Sequence, residues 1–136
     1  TTVSPLNVWQ YDGKNFKAKG AENDYRQIAK PLTGWRLLNV SGAEDRLVPY
    51  AGGPSPVIPA KEGKLAFVGA EESTFLWAKH LGYEGEKRTK PTEVKGAIET
   101  FLYLDGRVVH LKVNGRGHNA SGALSEEVLL GFLGGD

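Results

Sequence analysis

The chain has 136 residues and a net charge of +1, with 40% hydrophobic and 24% charged side chains. That is the size and balance of a single globular domain over 1–136. It excludes a disordered chain and any binding driven by bulk charge. Cysteine is absent, which removes disulfides, thiolate metal sites and a cysteine nucleophile.

Leu6 to Tyr11 alternates and ends at Asp12-Gly13, which predicts a strand entering a turn. Glu22 to Lys30 carries Tyr25, Ile28 and Ala29 at helical spacing and stops at Pro31, which predicts a short helix. Trp35 to Val40 and Arg46 to Tyr50 read as strands joined by a hairpin loop over Ser41 to Asp45. Tyr50 to Pro59 is a Pro/Gly loop, excluded from the centre of a sheet because proline donates no ladder hydrogen bond. Lys64 to Val68 is a further strand. Glu71 to Leu81 is a helix with acids in its first turn and Lys79 and His80 in its last, as the helix dipole prefers. Gly82 suits the left-handed position just past its end.

Ile98 to Val113 carries the clearest local signal. Asp105-Gly106 between two apolar runs predicts a two-residue hairpin with a type I′ turn, because both residues tolerate positive φ. The register follows by counting outward. Ile98, Leu102, Val109, Leu111 and Val113 share one face, expected to be core. Glu99, Phe101, Tyr103, Val108, His110 and Lys112 share the other. Asn114 to Gly122 is a flexible loop. Ser125 caps a last helix over 125–133, whose stripe of Leu124, Val128, Leu129, Phe132 and Leu133 is expected to be buried. The whole predicts a β-rich α+β domain: an antiparallel sheet or partly open barrel of five to six strands, with about three short helices.

The three histidines, His80, His110 and His118, lack the i, i+4 spacing of a helical zinc motif. His110 and His118 lie close along the chain, but no third ligand is specified, so neither a metal nor a cofactor is expected. No G-x-S-x-G elbow occurs, and no motif ties a serine, a histidine and an aspartate into a triad. Gly115-Arg116-Gly117 opens like a phosphate loop, but Ala120 stands where the third glycine is needed. The acid pairs Glu44-Asp45, Glu71-Glu72 and Glu126-Glu127 read as solvated partners of the kind found at helix starts, not as catalytic carboxylates.

Near-neutral charge hides basic segments: 1–36 and 107–118 each carry +3. Aromatic and basic residues interleave in the first. In the second the hairpin register sets rings beside cations. Single-stranded nucleic-acid sites combine these two ingredients. The sequence therefore predicts a non-catalytic binding protein for single-stranded nucleic acid. Its site would be Phe101, Tyr103, Arg107, His110, Lys112 and Arg116, with Lys17 and Lys19 in support. The alternative is a self-assembling structural protein, such as a viral or phage capsid or decoration component. Its contacts with copies of itself or other subunits would use Thr1 to Pro5 and Tyr50 to Pro59. No apolar run approaches the ~18 residues of a membrane span, and no membrane partner is expected. Thr-Thr-Val-Ser-Pro lacks the basic and apolar regions of a signal peptide, so the compartment stays open.

Overall fold

In the computed structural model, which describes residues 6–17, 25–30, 36–60 and 63–134, the hairpin over 98–113 organises the chain. Strand β5 (Ile98–Tyr103) pairs antiparallel with β6 (Val108–Val113) in the register that the Asp-Gly turn predicts, from Ile98 opposite Val113 to Tyr103 opposite Val108. Asp105 and Gly106 have φ of 54° and 86°, and Arg107 N–H closes the turn on the Leu104 carbonyl at 3.1 Å. Leu104 is drawn into positive φ as well, at 52°.

Both faces of this hairpin are covered. Val109, Leu111 and Val113 are buried on the face predicted as core, while Leu102 is half-buried. The other face is buried more completely: Phe101, Tyr103, Val108 and His110 lie at or below 4% exposure. The cover is helix α1 (Ala70–His80), which presents Ala70, Ser73, Thr74 and Ala78 inward. Small side chains at this spacing let the helix lie close to the strands. Its end follows the prediction: Gly82 sits at φ 101°, Gly82 N–H donates to Lys79 and Tyr83 N–H to Ala78, both pairings of a Schellman cap.

The sheet has four strands in the order β1-β6-β5-β4, with β1 at Leu37–Gly42 and β4 at Glu93–Lys95. It is not wholly antiparallel, because β1 runs parallel to β6. The sequence expectation paired 35–40 with 46–50 instead. The difference has a local cause: the Asp45 carboxylate accepts the N–H groups of Leu47 and Val48 at 2.8 and 2.9 Å, which bends 45–50 into turns. The partner of β1 is thereby left to a strand some 65 residues further on.

A second sheet pairs β2 (Gly53–Pro59) with β3 (Lys64–Phe67). The Pro/Gly stretch is thus a strand rather than a loop. A two-stranded sheet has only edges, where proline is tolerated. The region 6–11 is not a strand either. The Asn7 side chain accepts the Trp9 and Gln10 N–H groups, and only Leu6, Asn7 and Val8 join the β3 edge. Residues 25–30 are not helical: Ile28 bridges Lys17 and is exposed. The rest of that expected helix, the N-terminal arm 1–5 and Trp35 lie outside the described residues. Helix α2 (Glu126–Gly134) forms as predicted, with the Ser125 hydroxyl accepting Val128 N–H at 3.4 Å. Its apolar stripe is not buried: Val128, Leu129 and Leu133 are 45%, 39% and 67% exposed. Phe132 is half-buried beneath the Arg36 guanidinium. The described residues form a mixed α+β domain with two sheets, two α-helices and no closed barrel.

The buried His110 belongs to a hydrogen-bonded chain. Tyr50 donates its hydroxyl proton to Glu71 at 2.9 Å, so the Tyr50 oxygen accepts from His110 Nε2 at 2.8 Å. Burial, with the nearby Lys112 charge acting in the same direction, pushes the His110 ring down to about 4 from 6.5.

Two outcomes follow from this packing. Gly106→Val should destabilise the domain by about 1–2 kcal/mol in a denaturant titration, because the position requires left-handed backbone. The native ring of His110 stays neutral where the unfolded one takes a proton. Stability should therefore fall as pH drops from 6.5 towards 4, by about 3 kcal/mol at most. His110→Gln should flatten that decline relative to wild type.

Candidate functional site

The residues expected to bind nucleic acid do not converge. Phe101, Tyr103 and His110 are core residues under α1. Lys112 pairs with Glu99 at 3.2 Å and lies over the Tyr50 ring. Arg107 is half-buried at the hairpin tip, and Arg116 is exposed beyond the opposite end of β6. Six strand residues at ~3.3 Å each separate them by roughly 20 Å. Lys17 pairs with Asp12 at 3.0 Å, at a distance along the chain from the hairpin. Lys19 lies outside the described residues.

What the fold does bring together is Asp45 and His118. β1 and β6 are parallel neighbours, with Gly42 opposite Val113, so their C-terminal ends share one edge of the sheet. Asp45 follows the first end and His118 the second. His118 Nδ1 lies 2.9 Å from Asp45 Oδ2. Loops leaving the carboxyl ends of adjacent parallel strands are where open α/β sheets place their ligands.

The carboxylate is fixed on both sides. Oδ1 accepts the Leu47 and Val48 N–H groups, and Oδ2 takes the imidazole. Burial opposes its charge, yet the Val48 amide, His118 and the Leu47 amide together hold the carboxyl below the ordinary aspartate value. It is ionised at neutral pH, and an ionised carboxylate only accepts. His118 Nδ1 therefore carries the proton, and Nε2 is the basic nitrogen, pointing away from Asp45. The aspartate side chain is 10% exposed and the histidine 54%, so the acid is shielded while the base reaches solvent.

The pair stands at a cavity of about 640 Å³. Its apolar wall comes from Leu38 and Val40 of β1, Val48, and Leu129, Phe132 and Leu133 of α2. Ser41 and Ser121 also line it. The Ser41 hydroxyl bonds to Asn39, and among the described residues Asp45 is the only hydrogen-bond partner that His118 has. Among the described residues no three His, Asp or Glu side chains are grouped to hold a metal ion. No helix among them is long and apolar enough to cross a membrane. His110 and His118, close in sequence, are separated in space by role: one is sealed in β6, the other lies on an exposed loop.

The sequence reading missed this pair because 73 residues separate its members. The available signal was Asp45 itself, an aspartate two residues before an apolar run, which can bend the chain as well as end a hairpin. No family model matches the chain. No solved structure matches it. In an alignment 97 residues long that covers 65% of the chain, it is 32% identical to feruloyl esterase B from Piromyces equi, and the match spans 16% of that protein.

Proposed function

We propose that Asp45 and His118 are the orienting carboxylate and the base of a serine-type ester hydrolase. The observation that carries this is the 2.9 Å bond between a doubly anchored carboxylate and Nδ1 of a histidine whose Nε2 is accessible. The likeness to an esterase supports it. In α/β-hydrolases the triad runs Ser, Asp, His along the chain, and here the aspartate likewise precedes the histidine. The nucleophile in this reading is a serine that precedes Asp45 in the polypeptide.

The chemistry follows from the protonation states. Nε2 takes the hydroxyl proton as the serine oxygen attacks the ester carbonyl carbon. The resulting imidazolium is stabilised by Asp45, which stays ionised. Nε2 then gives its proton to the departing alkoxide, leaving an acyl-enzyme. Water repeats the sequence: Nε2 removes its proton, the hydroxide oxygen attacks the acyl carbon, and the serine leaves as the hydroxyl. The apolar wall suits a carboxylic ester with an apolar acyl group.

The experiment is hydrolysis of a 4-nitrophenyl ester by the polypeptide that carries both residues and the nucleophile. His118→Ala should lower kcat by about 10⁶, and Asp45→Asn by about 10⁴, the cost of a misdirected imidazole proton. Equal rates in all three proteins would end the proposal.

A second reading, self-assembly, is favoured by one observation: Val128, Leu129, Leu130 and Leu133 of α2 are exposed. An apolar stripe of this kind suits a protein surface as its partner. Mass measurement in dilute solution checks it, a multiple of 14.7 kDa supporting assembly and a single chain opposing it. Phe101 and Tyr103, the stacking rings of the nucleic-acid reading, are buried.

A further inference from the structure

We infer that Gly42 is a positioning residue for the Asp45–His118 pair: its missing side chain lets the loop after β6 close on the end of β1, so that His118 reaches Asp45. The inference rests on the esterase reading only in treating the pair as catalytic.

The geometry at Gly42 is restrictive. A Cβ there would stand 2.7 Å from the Arg116 carbonyl carbon and would run into the carbonyl oxygens of Arg116 and Gly117. These are backbone atoms, so no rotamer change relieves the overlap. The approach is held by bonds on either side of it. Ala43 N–H donates to Val113 at 3.0 Å and Glu44 N–H to Arg116 at 2.9 Å. Asp45 N–H returns to the Gly42 carbonyl at 3.2 Å, which aims the aspartate at the same loop.

The two functional side chains begin almost at this contact. Gly117 immediately precedes His118, and Asp45 is three residues past Gly42. A methyl group at Gly42 therefore pushes apart the two backbones that hold a 2.9 Å bond. A retreat of about 1 Å at a catalytic group costs about 10²-fold in rate. Gly117 has no such constraint. A Cβ there would lie 3.7 Å from the Glu44 carbonyl oxygen, an ordinary contact. The requirement for glycine is thus confined to the β1 side of the approach.

The test compares Gly42→Ala with Gly117→Ala by nitrogen NMR of labelled histidine rings. The His118 signals are assigned with His118→Gln, and the ring of buried His110 reports the fold. In wild type and Gly117→Ala, His118 should show a protonated Nδ1 held by Asp45. In Gly42→Ala that signature should give way to the tautomer mixture of a free imidazole, with the His110 signals unchanged. Ester turnover should then fall about 10²-fold in kcat with KM unaltered. Retention of the Nδ1–H signature in Gly42→Ala overturns the inference. So does loss of the His110 signals as well, which would assign Gly42 to the fold as a whole. The tautomer needs no turnover to be read. Its loss in a protein whose wild type hydrolyses no ester would keep the positioning role and remove the esterase reading.

Discussion

The parallel pairing of β1 with β6 is the constraint on which the rest depends. Antiparallel neighbours would send their C-terminal ends to opposite edges of the sheet, and Asp45 would lie a strand length from His118. Parallel neighbours put both ends on one edge. Such pairing demands a long crossover. The stretch between β1 and β6 supplies it, carrying the two-stranded sheet, α1 and the first two strands of the β4–β5–β6 meander. The crossover also explains the burial. α1 has to return across the sheet, and in doing so it covers Phe101, Tyr103, Val108 and His110.

Polar groups inside this core are arranged so that one conformation is favoured. Asn39 of β1 donates to the Thr74 hydroxyl at 2.8 Å, and that hydroxyl donates in turn to the Ala70 carbonyl. The bond ties the parallel strand to the helix above it. On the neighbouring strand, His110 reaches Tyr50 and through it Glu71 at the start of α1. Buried donors and acceptors without partners are costly. A shift of α1 along the sheet would break both connections, so they fix its register as apolar contacts alone do not. Tyr50 is also the residue after Pro49 in the turns that Asp45 begins, which links the core network to the loop holding the Asp45 carboxylate.

The two histidines show how place determines use. His110 is sealed between strand and helix, and burial keeps it neutral far below the usual range. It contributes to structure through one hydrogen bond. His118 lies on a loop, half in solvent, with one nitrogen committed to Asp45 and the other accessible. The same side chain eight residues apart is a core residue in one case and a candidate base in the other.

Local chemistry alone determined several elements. The Asp-Gly turn set the β5–β6 register, because the period of two and the positive φ of the turn admit one pairing. The charges and Gly82 set α1 and its Schellman end, and Ser125 set the start of α2. These are short-range properties, legible within a few residues. The tertiary structure decided what depends on residues far apart. Alternation placed Phe101, Tyr103 and His110 on one face, but a period of two cannot say whether a helix covers that face, and α1 does. The same limit applied to α2, whose stripe was legible and whose exposure was not. Asp45 read as part of a hairpin loop until its carboxylate was seen to capture Leu47 and Val48. Its meeting with His118 came only from the parallel neighbour β6, because strand pairing across dozens of residues is selected by packing of the whole sheet and leaves no mark in local sequence.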